Sequence, residues 1–179
     1  MRKTTTAGIA LAAALAAGSA LAEKPFGGTD SVNYSEDLWQ ALIDASLAGK
    51  NAYQTVPYEG QHPHGAVLQT IEGQLTVNGH TGDVIVKRNY GGEGVSESKV
   101  ANDPDEWLGA VTVMFRRASG YDPDNANWFW VKYKPDGSLH KNPKGMSLAG
   151  RVAKGADKGC IACHGGAPGG DYVFNNDRF

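Results

Sequence analysis

Two cysteines and a histidine near the carboxyl end are the side chains best arranged to do chemistry. Cys160 and Cys163 are the only cysteines of the chain, and His164 follows directly, which gives the spacing Cys-x-x-Cys-His. This spacing presents two thiols to the two vinyl groups of a haem and an imidazole to its iron. A disulfide or redox dithiol is the alternative in an exported protein, but neither needs the histidine. The motif therefore predicts one covalent haem c, with His164 as an axial ligand of the iron.

The second axial position of such a haem separates electron carriers from proteins that bind small molecules. A methionine or second histidine there is typical of an electron-transfer cytochrome, whereas an open position admits a ligand or substrate. The candidates in the sequence are His62, His64, His80, His140, Met114 and Met146. His62 and His64 flank a proline in a predicted loop, where hydrogen bonds that tie the loop down are the alternative role. Met114 lies in a predicted strand, which favours core packing.

Lys87 is the most unusual charged residue of the predicted strands. Alternation along residues 84–88 places Lys87 on the same strand face as Ile85. A lysine among apolar neighbours must find a partner or lose its charge. The alternative is an edge lysine that extends to water and discourages pairing with other chains.

The first 22 residues have the pattern of a signal peptide. Arg2 and Lys3 form a positive start, residues 9–17 are a short apolar run, and residues 20–22 (ALA) form a small-x-small cleavage site. The apolar run is too short for a membrane anchor, which needs about 20 residues. We predict a signal peptide at 1–22 and an exported haem domain at 23–179, with the periplasm as its compartment and no membrane attachment after cleavage.

The charge balance of the sequence argues against one class of binding partner, the nucleic acids. The chain has 17 basic and 19 acidic residues, and loss of Arg2 and Lys3 with the signal peptide makes the remainder more acidic. Without a basic stripe to neutralise phosphates, a nucleic-acid partner is not expected. The length suits a single domain with one core.

The hydrophobic pattern predicts an α+β fold, mainly an antiparallel sheet with a few helices. A loose arm at 23–33 precedes an amphipathic helix at 35–48, with Ser35 as its N-cap. Four runs then follow a period of two without long helices between them, which favours antiparallel pairing. These predicted strands are residues 66–71, 83–90, 108–118 and 128–134. A short helix is expected near 103–108, and a helical turn at 160–164 carries the haem motif.

Several segments together resemble the cytochrome P-460 family, which includes the cytochromes c′-beta. They are residues 62–67 (HPHGAV), 84–90 (VIVKRNY), 112–115 (TVMF), 120–123 (GYDP), 127–133 (NWFWVKY), 135–137 (PDG), 159–164 (GCIACH) and 170–174 (GDYVF). The resemblance implies a largely antiparallel β-structure with a five-coordinate haem, and a homodimer.

The family resemblance implies two chemistries. The P-460 cytochromes join a lysine to the porphyrin and oxidise hydroxylamine, and Lys87 stands where that lysine would be. The c′-beta cytochromes lack the link and bind nitric oxide or carbon monoxide under a phenylalanine cap. An electron carrier is the third reading, and a periplasmic redox partner is expected for any of them.

The strand at 108–118 departs from the hydroxylamine-oxidising pattern. Oxidation needs a base beside the iron, and the P-460 enzymes place a carboxylate on the corresponding strand. Here that strand has no acidic residue and offers Phe115, which suits an apolar distal cap. Glu106, just before the strand, is the candidate replacement for the base. The expected reactant is therefore a small nitrogen-containing molecule or a diatomic gas.

Overall fold

The structure, a computed structural model, describes residues 24–174. The predicted signal peptide lies outside the described residues. Within them, no helix is both long and apolar enough to cross a membrane.

Six antiparallel strands form one sheet in the described part of the chain, and their order in the sheet is their order in the sequence. The strands are β1 (Tyr58–Glu59), β2 (Val67–Val77), β3 (His80–Tyr90), β4 (Leu108–Arg116), β5 (Trp128–Tyr133) and β6 (Ala149–Gly150). The helices are α1 (Thr29–Asp44), α2 (Glu97–Asn102), α3 (Pro104–Trp107) and α4 (Cys160–His164). The predicted α+β class with a mainly antiparallel sheet is confirmed.

The predicted strands correspond to β2–β5, but β2 is longer than expected. It continues past Gly73 because Leu75 and Val77 alternate into the core, where they are 7 and 2% exposed. Asn78 and Gly79 then join β2 to β3 with φ of 49° and 77°. Positive φ at both positions is what a two-residue hairpin turn requires. The two-residue strands β1 and β6 are too short to leave a pattern in the sequence.

The predicted bounds of the first helix are wrong at both ends. Helix α1 begins six residues before Ser35 and ends four before Ala48, so residues 29–33 of the predicted loose arm are helical. Ser35 is not the N-cap but a buried residue whose hydroxyl donates to the Val32 carbonyl oxygen at 2.6 Å. The apolar stripe remains as predicted, because Leu38 and Leu42 are both 0% exposed.

The two faces of the sheet are covered by different elements. We call the face under α1 the helix face, and its core joins Leu38 and Leu42 to side chains of β2–β5. We call the opposite face the motif face, because Ile161 of α4 packs there against Met114 and Trp130. A segment of the chain that begins after β6 thus lies across the sheet from α1.

Candidate haem-binding site

Helix α4 holds the Cys-x-x-Cys-His motif, as predicted. Gly159 precedes it with φ of 121°, and a Cβ there would lie 2.4 Å from the Cβ of Ala153. Only glycine combines that conformation with that approach. Ile161 is buried, whereas Cys160 is half-buried and Cys163 is exposed. Both cysteines are free thiols, and burial raises the pKa of the Cys160 thiol.

Hydrogen bonds fasten the segment after α4 to the sheet. The buried indole of Trp128 donates to the Asp171 carbonyl oxygen at 2.7 Å. The Tyr172 hydroxyl donates to the Asp124 carbonyl oxygen at 2.9 Å. Tyr172 has φ of 69°, a conformation that costs energy for a large side chain and persists only where the surroundings hold it. These hydrogen bonds hold the segment that follows His164 against the sheet.

The His164 ring is oriented by its own carboxyl-terminal neighbours. Its Nδ1 lies 2.8 Å from the Tyr172 carbonyl oxygen, which can only accept a hydrogen bond. Nδ1 therefore carries the proton, and the lone pair is on Nε2. This arrangement is common for histidines that bind metals, because the second nitrogen fixes the ring. The rings of Trp130 and Phe174 lie edge-on to it, with centroids 4.9 and 5.4 Å away.

Lys87 lies on the motif face, as the alternation predicted. In the sheet it is directly opposite Thr70 of β2 and Thr112 of β4, and Thr112 is opposite Lys132 of β5. We call Lys87, Thr112 and Lys132 the polar row. Lys87 is half-buried and not at the sheet edge, so the alternative of an edge lysine does not hold.

His64 approaches the same region from the loop before β2. Its Nδ1 lies 2.8 Å from Asn89 Oδ1, and its ring centroid lies 6.2 Å from that of His164. Burial, together with the positive charge of Lys87, lowers the pKa of His64 to about 4, so the imidazole is neutral near pH 7. His64 thus lies in one neighbourhood with Lys87 and His164.

A comparison with known families agrees with this site. The model of the family described as Cytochrome P460 matches residues 31–175, which is most of the chain. The chain belongs to the cytochrome P460 family. The predicted family is confirmed, and so is the cofactor, because this family binds haem c covalently. Members of the family are typically periplasmic. No curated protein and no solved structure matches the chain.

The residues around α4 of this cytochrome fit a haem. The Trp130 indole N–H is buried, and within residues 24–174 it finds no hydrogen-bond acceptor. Leaving such a donor unsatisfied costs about 1–3 kcal/mol, and a haem carboxylate is an acceptor of the right kind. Lys87 and Lys132 add positive charge on the same face. When bound, the haem supplies an iron that takes small ligands and exchanges single electrons.

Phe115, the predicted distal cap, lies on the opposite face of the sheet from the motif. It is 0% exposed in the core under α1, and its ring centroid lies 6.4 Å from that of Tyr34. Alternation explains the correction, because the β4 residues that face the motif are Thr112 and Met114. Phe115 therefore stabilises the helix face and does not cap the iron.

Glu106 is not brought to the motif face either. It is exposed in the four-residue helix α3, which precedes β4. The register of the sheet instead places another carboxylate near Lys87. Glu72 of β2 is opposite Ile85, two residue pairs along from the pair of Thr70 and Lys87, so its side chain is on the motif face. Sequence reasoning missed Glu72 because β2 was predicted to end at residue 71.

The remaining candidates for the second axial position are exposed or are engaged in other contacts. His80 is on the helix face, with its Nε2 3.0 Å from the Arg116 carbonyl oxygen. Met146 belongs to a turn in which its N–H donates to Asn142 Oδ1 at 3.0 Å. His140 is half-buried in the stretch that bonds to β5. Met114 is on the motif face, but it is packed in the apolar cluster under α4. His62 is exposed.

Proposed function

We propose that this cytochrome acts in the periplasm on small nitrogen compounds, oxidising hydroxylamine or nitric oxide at the haem iron. The observation that carries the proposal is the position of Lys87. It is half-buried on the motif face, next to the neighbourhood of His64 and His164. A lysine there can reach the porphyrin, whereas a lysine on the helix face could not.

The roles of the motif residues follow from their chemistry. Cys160 and Cys163 would hold the haem through thioethers to its vinyl groups, and His164 would bind its iron through Nε2. Lys87 is the cross-linking residue, as its match to the P-460 pattern implies. A covalent link at the ring edge would distort the macrocycle, which is one way a protein tunes haem chemistry.

Oxidation of hydroxylamine also needs a group that accepts protons. Glu72 shares the motif face with Lys87 and is the carboxylate we assign to this role. The oxidation releases electrons, and a bound haem would supply the one-electron chemistry by which a periplasmic redox partner takes them up. The absence of Phe115 from this face removes the apolar cap that would favour simple gas binding over oxidation.

The alternative function is reversible binding of nitric oxide or carbon monoxide. Ile85 and Met114 favour it, because both are apolar side chains on the motif face and suit an uncharged diatomic ligand.

The absorption spectrum of the purified holoprotein tests the proposal. We expect the Soret band to shift strongly to the red on anaerobic reduction, and we expect this shift to disappear in Lys87→Ala. Lys132→Ala is the matched control, because Lys132 lies on the other side of Thr112 in the polar row and should leave the shift intact.

Turnover of hydroxylamine is measured on the same samples. Loss of turnover in Lys87→Ala and Glu72→Gln, but not in Lys132→Ala, is the expected result. An ordinary c-type spectrum that responds to nitric oxide, without hydroxylamine turnover in the unsubstituted protein, would contradict oxidation and favour gas binding.

A further inference from the structure

Positive charge is concentrated in one part of the chain, between the end of β5 and the start of α4. We call residues 132–158 the basic stretch, because they contain seven basic and two acidic residues. The rest of the described chain contains seven basic and fifteen acidic residues. A protein whose net charge is negative therefore has one strongly positive region.

The fold lays the basic stretch along one edge of the sheet and leads it to the haem motif. The stretch begins in β5 and doubles back, so that the backbones of His140 and Leu148 bond to that of Lys132. Strand β6 then pairs with β5 at the edge of the sheet, and the last part of the stretch runs directly into α4. Residues that are scattered over 27 positions of sequence thus share one side of the molecule.

Three lysines of the basic stretch lie close to the motif. Lys132 belongs to the polar row, and its positive charge opposes the rise that burial causes in the pKa of the Cys160 thiol. Lys134 is exposed and continues the alternation of β5 on the motif face. Lys158 is exposed and precedes Cys160 by two residues. Because Cys163 is also exposed, one attachment point of the haem would lie at the surface beside these charges.

The opposite side of the sheet carries the opposite charge. Helix α1 has no basic residue and four exposed acidic ones: Asp30, Glu36, Asp37 and Asp44. An acidic helix face and a basic stretch beside the motif make the protein an electric dipole. A field of this kind orients a charged protein as it approaches and raises the rate of productive encounters.

The exposed apolar side chains favour a protein over a membrane as the acidic partner. Within residues 24–174, the large apolar side chains that are exposed are Ile43, Tyr53 and Val56, and none of them is in the basic stretch. Surfaces that bind membranes combine basic residues with apolar side chains that insert among the lipids. A partner that takes up electrons must also carry a redox centre, which neither a lipid nor a nucleic acid has.

We propose that the basic stretch is the docking surface for an acidic electron-accepting protein, which it orients with the redox centre towards α4. This inference deepens the proposed function and rests on the release of electrons that the function requires. One electron passes from the reduced protein to the oxidised partner, and no covalent bond forms or breaks. Exposed charges of this kind speed association more than they tighten binding, so the complex is short-lived.

Binding of poly-L-glutamate to the holoprotein tests the docking surface without any redox reaction. The measurement is made at an ionic strength of about 0.1 M, where a charge acts over about 10 Å and only nearby lysines contribute. Lys134→Glu and Lys158→Glu should each weaken binding by roughly threefold or more. Lys50→Glu is the matched control, because it makes the same change of charge at an exposed lysine beyond the end of α1 and should leave binding unchanged.

The rate of one-electron oxidation gives a second measurement. The reduced holoprotein is mixed either with ferricyanide, an anion, or with hexaammineruthenium(III), a cation, and each accepts one electron. Lys134→Glu and Lys158→Glu should slow oxidation by ferricyanide and speed oxidation by hexaammineruthenium(III), because the surface beside α4 becomes less positive. Lys50→Glu should do neither.

Two results would overturn the docking surface. The first is an equal loss of poly-L-glutamate binding in all three variants, and the second is binding to the unsubstituted protein that does not weaken as salt is added. Binding to phosphatidylglycerol vesicles but not to poly-L-glutamate would also overturn it and would indicate a membrane surface. Charge effects that persist in a protein without hydroxylamine turnover would contradict the proposed function alone, and turnover without the charge effects would contradict the docking surface alone.

Discussion

Adjacent rows of side chains on the two faces of the sheet differ completely in chemistry. The helix face has a row of three valines that follow one another across β3, β4 and β5 and are 0, 2 and 4% exposed: Val86, Val113 and Val131. The next set of paired residues on the same three strands is the polar row, and its side chains point to the motif face. The same backbone hydrogen bonds therefore align a dry core on one side and the charged groups of the site on the other.

This comparison shows what sets the position of the site residues. A slip of one residue in strand pairing would send each valine to the motif face and each polar side chain into the core. Burial of the valine row excludes such a slip. Apolar packing on the helix face thus fixes the register that brings Lys87 into line with Thr112 and Lys132.

The largest predicted effect is the loss of covalently attached haem when the two thiols of α4 are removed. The double substitution Cys160→Ala with Cys163→Ala should abolish covalent haem, because no thioether can form. Haem staining of a denaturing gel measures it, with His62→Ala as a fully stained control. Either single substitution should leave weak or no staining. A normal stained band in the double variant would show that the haem is attached elsewhere.

A substitution on the helix face should separate stability from haem chemistry. Phe115→Ala should lower the free energy of unfolding by about 3–5 kcal/mol, because it leaves a cavity in a fully buried core. The haem spectrum and nitric oxide binding should not change. Met114→Ala, the neighbouring position on the motif face, should both destabilise the protein and alter the haem spectrum. Equal spectral changes in the two variants would contradict the assignment of faces.

The smallest predicted effect is a fall in the free energy of unfolding when the hydrogen bond that holds the segment after α4 to the sheet is removed. Trp128→Phe keeps an aromatic ring but removes the hydrogen bond to the Asp171 carbonyl oxygen. The free energy of unfolding should fall by about 1–3 kcal/mol. Hydrogen exchange should become faster in residues 160–174 and not in α1. Faster exchange throughout the protein would mean that the bond supports the whole core.

Features that depend on local pattern were predictable from the sequence. The alternation along β3 placed Lys87 correctly, and the motif spacing placed α4. The bounds of α1 were not predictable, because its first turn begins after Gly28 without a side-chain cap. The end of β2 was hidden by the polar residues between Gly73 and Val77.

Features that depend on contacts between distant segments were not predictable. The face of Phe115 requires the register between β3 and β4, which alternation along one strand cannot supply. The pairing of His64 with Asn89 joins residues 25 positions apart and depends on the close approach at Gly65. Glycine in a loop before a strand is too common to indicate such an approach by itself.

The chain-order arrangement of the strands has a consequence for biogenesis. Every strand pairs with its neighbour in sequence, so the sheet can form by successive local steps, each of which closes a short length of chain. The haem motif comes after all six strands of the described residues, so it is synthesised after them. We expect attachment of haem to be a late event, because the strands can pair with one another before the segment that carries the motif is in place. The hydrogen bond from the Trp128 indole to the Asp171 carbonyl oxygen would then fasten the segment after α4 to the sheet.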